Sequence, residues 1–292
     1  MAAFRAELQK AHRRHDLALC LLIPGIVVLW VGGLAPADPE ELANGYSALL
    51  YSLPVIEAIL MPVMMAVLAS RLWDMEIKGN TAKLLYTLQS RRSLVAGKAV
   101  FGVLEVLLVT VLELAGVPVL GRVHGYTEAF PTGQLCYLFV CTLAVDAMLF
   151  FGEFLLMLWV GNPLPALCVG IVGALVGLFS AFMPPLASYF VPFGYYIPLS
   201  AYEVANWDKA THTVTYGTRS FNWGLLAFTL ALGAVLFALA WRKVLDDEVK
   251  NHAETMHSCG EPQTPRIPHL GNVLCSAHSF GHLRHLQLSA KS

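Results

Sequence analysis

Six apolar segments, each close to the roughly 20 residues that carry a helix across a bilayer, leave this chain little else to build a fold from. They run from Leu17 to Leu34, Leu49 to Leu72, Leu94 to Leu120, Leu135 to Val160, Leu164 to Phe182 and Trp223 to Trp241. Between them no stretch is long enough for a soluble domain. Only 13% of the 292 residues are charged and 57% are apolar, against roughly 25% charged in a soluble domain, so the chain could not cover itself with polar surface in water. The expected fold is therefore all-α and polytopic, with six transmembrane helices.

The placement of charge then orients the spans. The 19 Lys and Arg nearly balance the 20 Asp and Glu, so there is no global basic field for nucleic acid. Of the basic residues, only Arg122, Lys209 and Arg219 fall on the side away from the N-terminus, the Arg71 to Lys98 loop and the C-terminal tail. By the positive-inside rule both termini are cytoplasmic, which agrees with an even number of crossings. The basic stretch Arg5 to Arg14 precedes an apolar run that ends in Leu34-Ala35-Pro36 without a clear small-x-small cleavage site, so a removable signal is not expected.

Three regions follow. Residues 1–16 form an amphipathic interfacial helix, with Phe4, Leu8 and Ala11 at helical spacing and Arg5, Lys10, Arg13 and Arg14 supplying charge for anionic headgroups. Residues 17–250 hold the six spans. Residues 251–292 are a His- and Pro-containing tail, expected to be disordered, whose His and Cys spacings match no compact zinc set. Cys20, Cys136, Cys141 and Cys168 lie in apolar runs, where a thiol behaves as a small hydrophobe, and no disulfide framework or metal site is expected.

Between the last two spans, Met183 to Pro198 is too apolar for a solvated loop and too broken for a long helix. With Pro184, Pro185, Pro192, Tyr195, Tyr196 and Pro198, it reads either as a re-entrant segment on the outer side, sheltered by protein, or as an interfacial aromatic belt. Inside the spans stand five acidic residues, Glu57, Glu105, Glu113, Asp146 and Glu153. Each costs about 2.5–3.5 kcal/mol at a helix centre, so they face inward or lie near an end. They read either as a polar path for a cationic peptide or protons, or as protonated or hydrogen-bonded carboxyls at helix contacts, the second being preferred. In the fifth span Gly170, Gly173 and Gly177 allow close helix packing, with Gly173 and Gly177 forming a small-x-x-x-small pair.

No H-E-x-x-H, complete G-x-S-x-G or G-x-x-x-x-G-K-[ST] occurs, so the chain is expected to be neither a hydrolase nor a nucleotide-binding subunit. The informative polar stretch is the loop after the second span. Thr81 is placed to cap a short helix carrying Leu84, Leu85 and Leu88 on one stripe, after a turn at Gly79. Such a stripe fits a groove in a partner or lies on lipid.

The pattern Glu76-x-Lys78-Gly79-x-Thr81-x-Lys83-Leu84-Leu85, then Ser90-Arg91 and Lys98, resembles the first cytoplasmic loop of type-2 ABC-transporter permeases, especially those of lantibiotic (bacteriocin) self-immunity transporters. Gln89 stands where that pattern has proline. The motif covers about 25 residues and the architecture about residues 1–250. The resemblance implies an N-terminal elbow helix, a coupling helix that contacts a separate ATPase, and a re-entrant segment before the last span. It assigns coupling to Glu76, Lys78, Gly79, Thr81, Lys83, Leu84, Leu85, Arg91 and Lys98.

It further implies a subunit with no cofactor of its own, ATP and Mg being bound by a cytoplasmic ABC ATPase dimer. A second permease, homologous or identical, membrane lipids and an amphipathic peptide substrate complete the expected partners, in a bacterial plasma membrane. The rival readings are a membrane-embedded lipid-modifying enzyme using the buried carboxylates, and a non-transporting scaffold or sensor subunit.

Overall fold

The structure is a computed structural model that describes residues 16–34, 41–78, 91–207 and 214–260, with backbone only at 74–78, 91–92 and 246–260 among others. The interfacial segment before Asp16, the loop residues Gly79, Thr81, Lys83, Leu84 and Leu85, and the tail beyond Gly260 lie outside the described residues. The chain forms two compact units, Met1–Glu248 and Val249–Ser292, the described part of the second being helical.

Among the described residues, six helices are long and apolar enough to cross a membrane. They are α1 (Asp16–Gly33), α2 (Gly45–Lys78), α3 (Arg91–His124), α4 (Thr132–Val160), α5 (Pro163–Ser180) and α7 (Trp223–Gly260), with the one-turn α6 at Pro185–Ser188. They match the apolar runs of the sequence, α2 and α7 continuing further at their polar ends. All-α holds for the spans, and the described residues add one antiparallel hairpin, β1 (Tyr202–Trp207) with β2 (Val214–Thr218), bulged between Val204 and Asn206.

The helix α2 is the axis of the bundle. Of its membrane window 67% is buried, against 28% for α1 and for α7. It packs against α1, α3, α4 and α5, and α1 also lies along α3. Its inward residues include Leu50, Leu53, Met61, Met64, Met65, Leu68 and Leu72, all nearly inaccessible. Unbranched methionines fill the irregular gaps left where four helices meet one. Pro54 and Pro62 interrupt its hydrogen-bond ladder, which a membrane helix tolerates when its neighbours shelter the freed carbonyls.

Local chemistry sets the helix ends. Gly161 ends α4 in the left-handed region at φ 64°, its N–H returning to the Met157 carbonyl at 3.0 Å. Asn162 then caps α5 by accepting from the Leu164 N–H at 3.0 Å, ahead of Pro163, which has no N–H to satisfy. Asn222 does the same for α7 through the Leu225 N–H at 3.1 Å. At the opposite end from the Gly161 turn, Glu128 accepts from the Ser47 N–H at 3.0 Å and from its hydroxyl at 2.5 Å, tying the start of α2 to the α3–α4 connection. Tyr46 packs edge-on against both Tyr126 and Phe130 beside it.

Candidate functional site: the buried polar centre and the base of the axial helix

Three of the five intramembrane acids meet at the centre of the bundle. Glu57 of α2, Glu113 of α3 and Asp146 of α4 are fully buried and within electrostatic reach of one another. The Thr142 hydroxyl donates to Glu57 from 3.2 Å to either oxygen. Asp146 accepts from Thr110 at 3.2 Å on Oδ2 and from the Tyr196 hydroxyl at 2.5 Å on Oδ1. Thr110 also lies 3.0 Å from the Val106 carbonyl, so its single hydrogen is contested between helix and carboxylate. Neither oxygen of Glu113 has a hydrogen-bond partner among the described residues. The two threonines were not singled out from the sequence, although Thr142 stands one helical turn before Asp146 and so shares its face.

The other two acids lie in different surroundings. Glu105 sits near Cys20, which also feels Asp16 and Arg71. Glu153, one heptad beyond Asp146 and so about two turns further along α4, is among the residues that line a cavity of about 430 Å³ between α4, α5, α7 and the turn at Pro192. Among the described residues, no set of three His, Cys, Asp or Glu side chains is placed to hold a metal ion.

Tyr196 belongs to the proline-rich segment that follows α5. Asp146 is the midpoint of the 29-residue α4, so a residue hydrogen-bonded to it lies at mid-depth in the bundle rather than at a surface. Tyr195 and Tyr196 are both buried, and the Tyr195 hydroxyl donates to the Tyr189 carbonyl at 2.8 Å. Pro198 is buried as well, Pro184 is exposed, Pro192 is half-buried on the cavity, and Pro185 opens α6. A re-entrant path rather than a surface belt accounts for these positions.

The segment is seated by the glycines of α5. A Cβ on Gly177 would stand 2.8 Å from the Phe193 carbonyl oxygen and 3.2 Å from that of Ala58 in α2, and one on Gly170 would stand 2.6 Å from the Ala66 side chain. Gly173 receives the ring of Phe193. The close helix approach is thus made at Gly170 and Gly177, a heptad apart, while Gly173 and Gly177 together accommodate the inserted segment.

The base of α2 carries the third arrangement. Three consecutive residues each hold a different helix. Arg71 pairs with Asp16 of α1 at 3.4 Å, the Leu72 carbonyl accepts from the Lys98 ammonium of α3, and the Trp73 ring packs edge-on against Phe154 of α4 at 6.3 Å. Lys98 also lies 5.5 Å from the centre of the Trp73 ring. Lys98 is buried, and these contacts fix α3 to α2. Glu76 and Lys78 fall in the last turn of α2 and Arg91 opens α3, so the loop between them joins the two helix ends that this arrangement ties.

Residues 3–186, which include the first five membrane helices, match the family described as ABC-2 family transporter protein. No curated protein matches the chain.

Proposed function

The chain belongs to the ABC-2 transporter family, and on that premise we propose that it is the permease subunit of an exporter that expels an amphipathic peptide of the lantibiotic kind, as in self-immunity, from a bacterial cell membrane. ATP hydrolysis takes place in a separate cytoplasmic ATPase dimer, which binds the ATP and Mg, and a second permease, identical or homologous, completes the pathway. Both termini and the residue 79–90 loop face the cytoplasm. The observation that carries this reading is the family match itself, which extends over more than half of the chain. The basic bias toward the same loops and the Glu76 to Lys98 pattern support its finer points.

In this reading Leu84 and Leu85 form the apolar stripe that enters a cleft of the ATPase, flanked by Glu76, Lys78, Gly79, Thr81, Lys83 and Arg91. Closure of the ATPase then pushes on the ends of α2 and α3. The test is purification of the tagged full chain from its native membrane, with ATP turnover measured on the eluate. An ATP-binding polypeptide is expected to accompany the wild type. Replacing Leu84 and Leu85 with Asp should release it or leave its turnover independent of the permease. Normal retention and normal transport by that double variant would overturn the coupling assignment.

A further inference from the structure

The centre of the bundle holds more acceptors than donors. Among the described residues, the hydroxyls that reach its carboxyl groups are Thr142 at Glu57, and Thr110 and Tyr196 at Asp146. The Thr110 hydrogen is shared with the Val106 carbonyl. The shortfall lands on Glu113, which is 0% exposed and has neither oxygen hydrogen-bonded to a described residue.

No cation among the described residues offsets these acids. The charges that act on Glu113 are those of Glu57 and Asp146, while Tyr196 faces it from the re-entrant segment and Cys141 faces Glu57 from α4. From α1 come only Asp16 and Cys20, which lie with Arg71 and Glu105, from α5 only the exposed Cys168, and from the apolar stretch of α7 no titratable group. On α3 itself, Lys98 is about 22 Å along the helix and engaged with the Leu72 carbonyl, and Arg122 is about 14 Å the other way and exposed. The described residues place no metal-holding set of side chains there either. A carboxylate without water, donors or counter-charge is among the costliest states a side chain can take inside a bundle, and like-charged carboxyls so placed do not all ionise. A proton removes the charge and turns an acceptor-only group into a donor.

We propose that Glu113 is a proton-binding site: it holds its carboxyl un-ionised in the middle of the bundle, so that Asp146, with two hydroxyl donors, carries the charge of the centre and seats the re-entrant segment through Tyr196. A proton reaches a place that no molecule can enter. The Tyr137 hydroxyl accepts from the Asn222 N–H at 2.9 Å and donates to the Cys141 thiol, which faces Glu57. Asn222 in turn donates to the hydroxyl of the exposed Tyr189 at 3.2 Å, so protic groups run from the rim of the bundle to its centre.

The test uses the purified full chain in dodecyl maltoside, a detergent with no carbonyl of its own, and infrared difference spectra at neutral pH, where an un-ionised carboxyl has a carbonyl stretch apart from carboxylate and amide. Glu113→Gln should lower that band. It should still lower it in a Glu57→Gln background, where the second glutamate of the centre cannot take the proton over. Asp146→Asn should leave the band undiminished. Denaturant unfolding between about pH 6 and 8 gives the second readout: an unfolded glutamate gives up its proton above about pH 4.3, so a proton kept only by the folded chain makes the unfolding constant rise with pH, by up to about tenfold per unit. Glu113→Gln should flatten the slope by that factor.

A band that Glu113→Gln leaves unchanged in either background, a band lost in Asp146→Asn, or equal pH slopes for the wild type and Glu113→Gln would each overturn the proposal. Failure of Glu113→Gln to fold would overturn it as well, because glutamine reproduces the shape and the donor of the un-ionised acid, and only a required negative charge would be missed. Neither measurement involves an ATPase, so the transport reading stands or falls separately.

Discussion

The Tyr196 hydroxyl donates to Asp146 Oδ1 at 2.5 Å, joining residues 50 positions apart at the midpoint of α4. This bond fixes how deep the proline-rich segment goes, because it is made at the centre of the bundle and not at its rim. Tyr196→Phe removes the donor and leaves the ring. The expected cost is about 1–3 kcal/mol, the penalty for leaving a buried acceptor short of a donor. Denaturant titration in micelles measures it, and a double-mutant cycle with Asp146→Ala should show strong coupling. Additive losses in that cycle would mean that the two residues do not hold one another.

The glycines of α5 give a prediction with an internal control. A methyl group at Gly177 meets two backbone oxygens, those of Phe193 and Ala58, neither of which can swing aside as a side chain could. Gly177→Ala should therefore destabilise by about 1–3 kcal/mol through overpacking. A methyl group at Gly25 in α1 meets nothing within 4 Å, so Gly25→Ala should be neutral or gain up to about 1 kcal/mol from helix propensity. Melting temperatures of the two variants in the same detergent separate these outcomes, and equal effects would contradict the close approach of α5 to α2.

How much of this was legible in the sequence depends on the range of the interaction. Each span shows in its own run of apolar residues, whereas the caps at Asn162 and Asn222 were not read from it although they are local chemistry. The partners of the buried acids are not local. Nothing in the neighbourhood of Glu57 points to Thr142, 85 residues away, and nothing near Ser47 points to Glu128. The small-x-x-x-small spacing drew attention to Gly173 and Gly177 as a helix-packing pair; Gly177 does approach α2 at the Ala58 carbonyl, but the Phe193 ring lies at Gly173, and Gly170 makes the second helix contact. The hairpin at Tyr202–Trp207 and Val214–Thr218 was hidden because its alternation is weak and its outer residues are largely exposed.

The pair Asp16–Arg71 should respond unequally to removal of its two members. Asp16 is 2% exposed, whereas the Arg71 side chain is 35% exposed. Arg71→Ala leaves a buried carboxylate without that cation, while Asp16→Asn leaves a guanidinium that water or headgroups reach. The first should cost more, though less than the roughly 3–5 kcal/mol of breaking a fully buried pair. The second should cost about 1 kcal/mol or less. Thermal unfolding of both variants in one detergent gives the comparison, and a larger loss for Asp16→Asn would show that the ion pair is not what holds α1 to α2.

Lys98 yields the prediction that reaches from packing to transport. Its ammonium holds the Leu72 carbonyl and lies over the Trp73 ring, and Trp73 in turn packs on Phe154, so one side chain of α3 steadies the contacts of α2 with α3 and α4. Lys98→Met keeps the length and apolar stem but removes the donor and the charge. The loss should be about 1–3 kcal/mol, combining a desolvated carbonyl with a cation–π contact of about 0.5–2 kcal/mol. Adding Trp73→Leu should cost less than it does alone, since part of its contribution is already gone. If the α2–α3 loop delivers the push from an ATPase, Lys98→Met should also retain that partner while its ATP turnover ceases to depend on the permease. Co-purification followed by an ATPase assay reads both quantities at once. Retention with undiminished dependence would confine Lys98 to stability, and loss of the partner altogether would mean that it shapes the docking surface instead of transmitting through it.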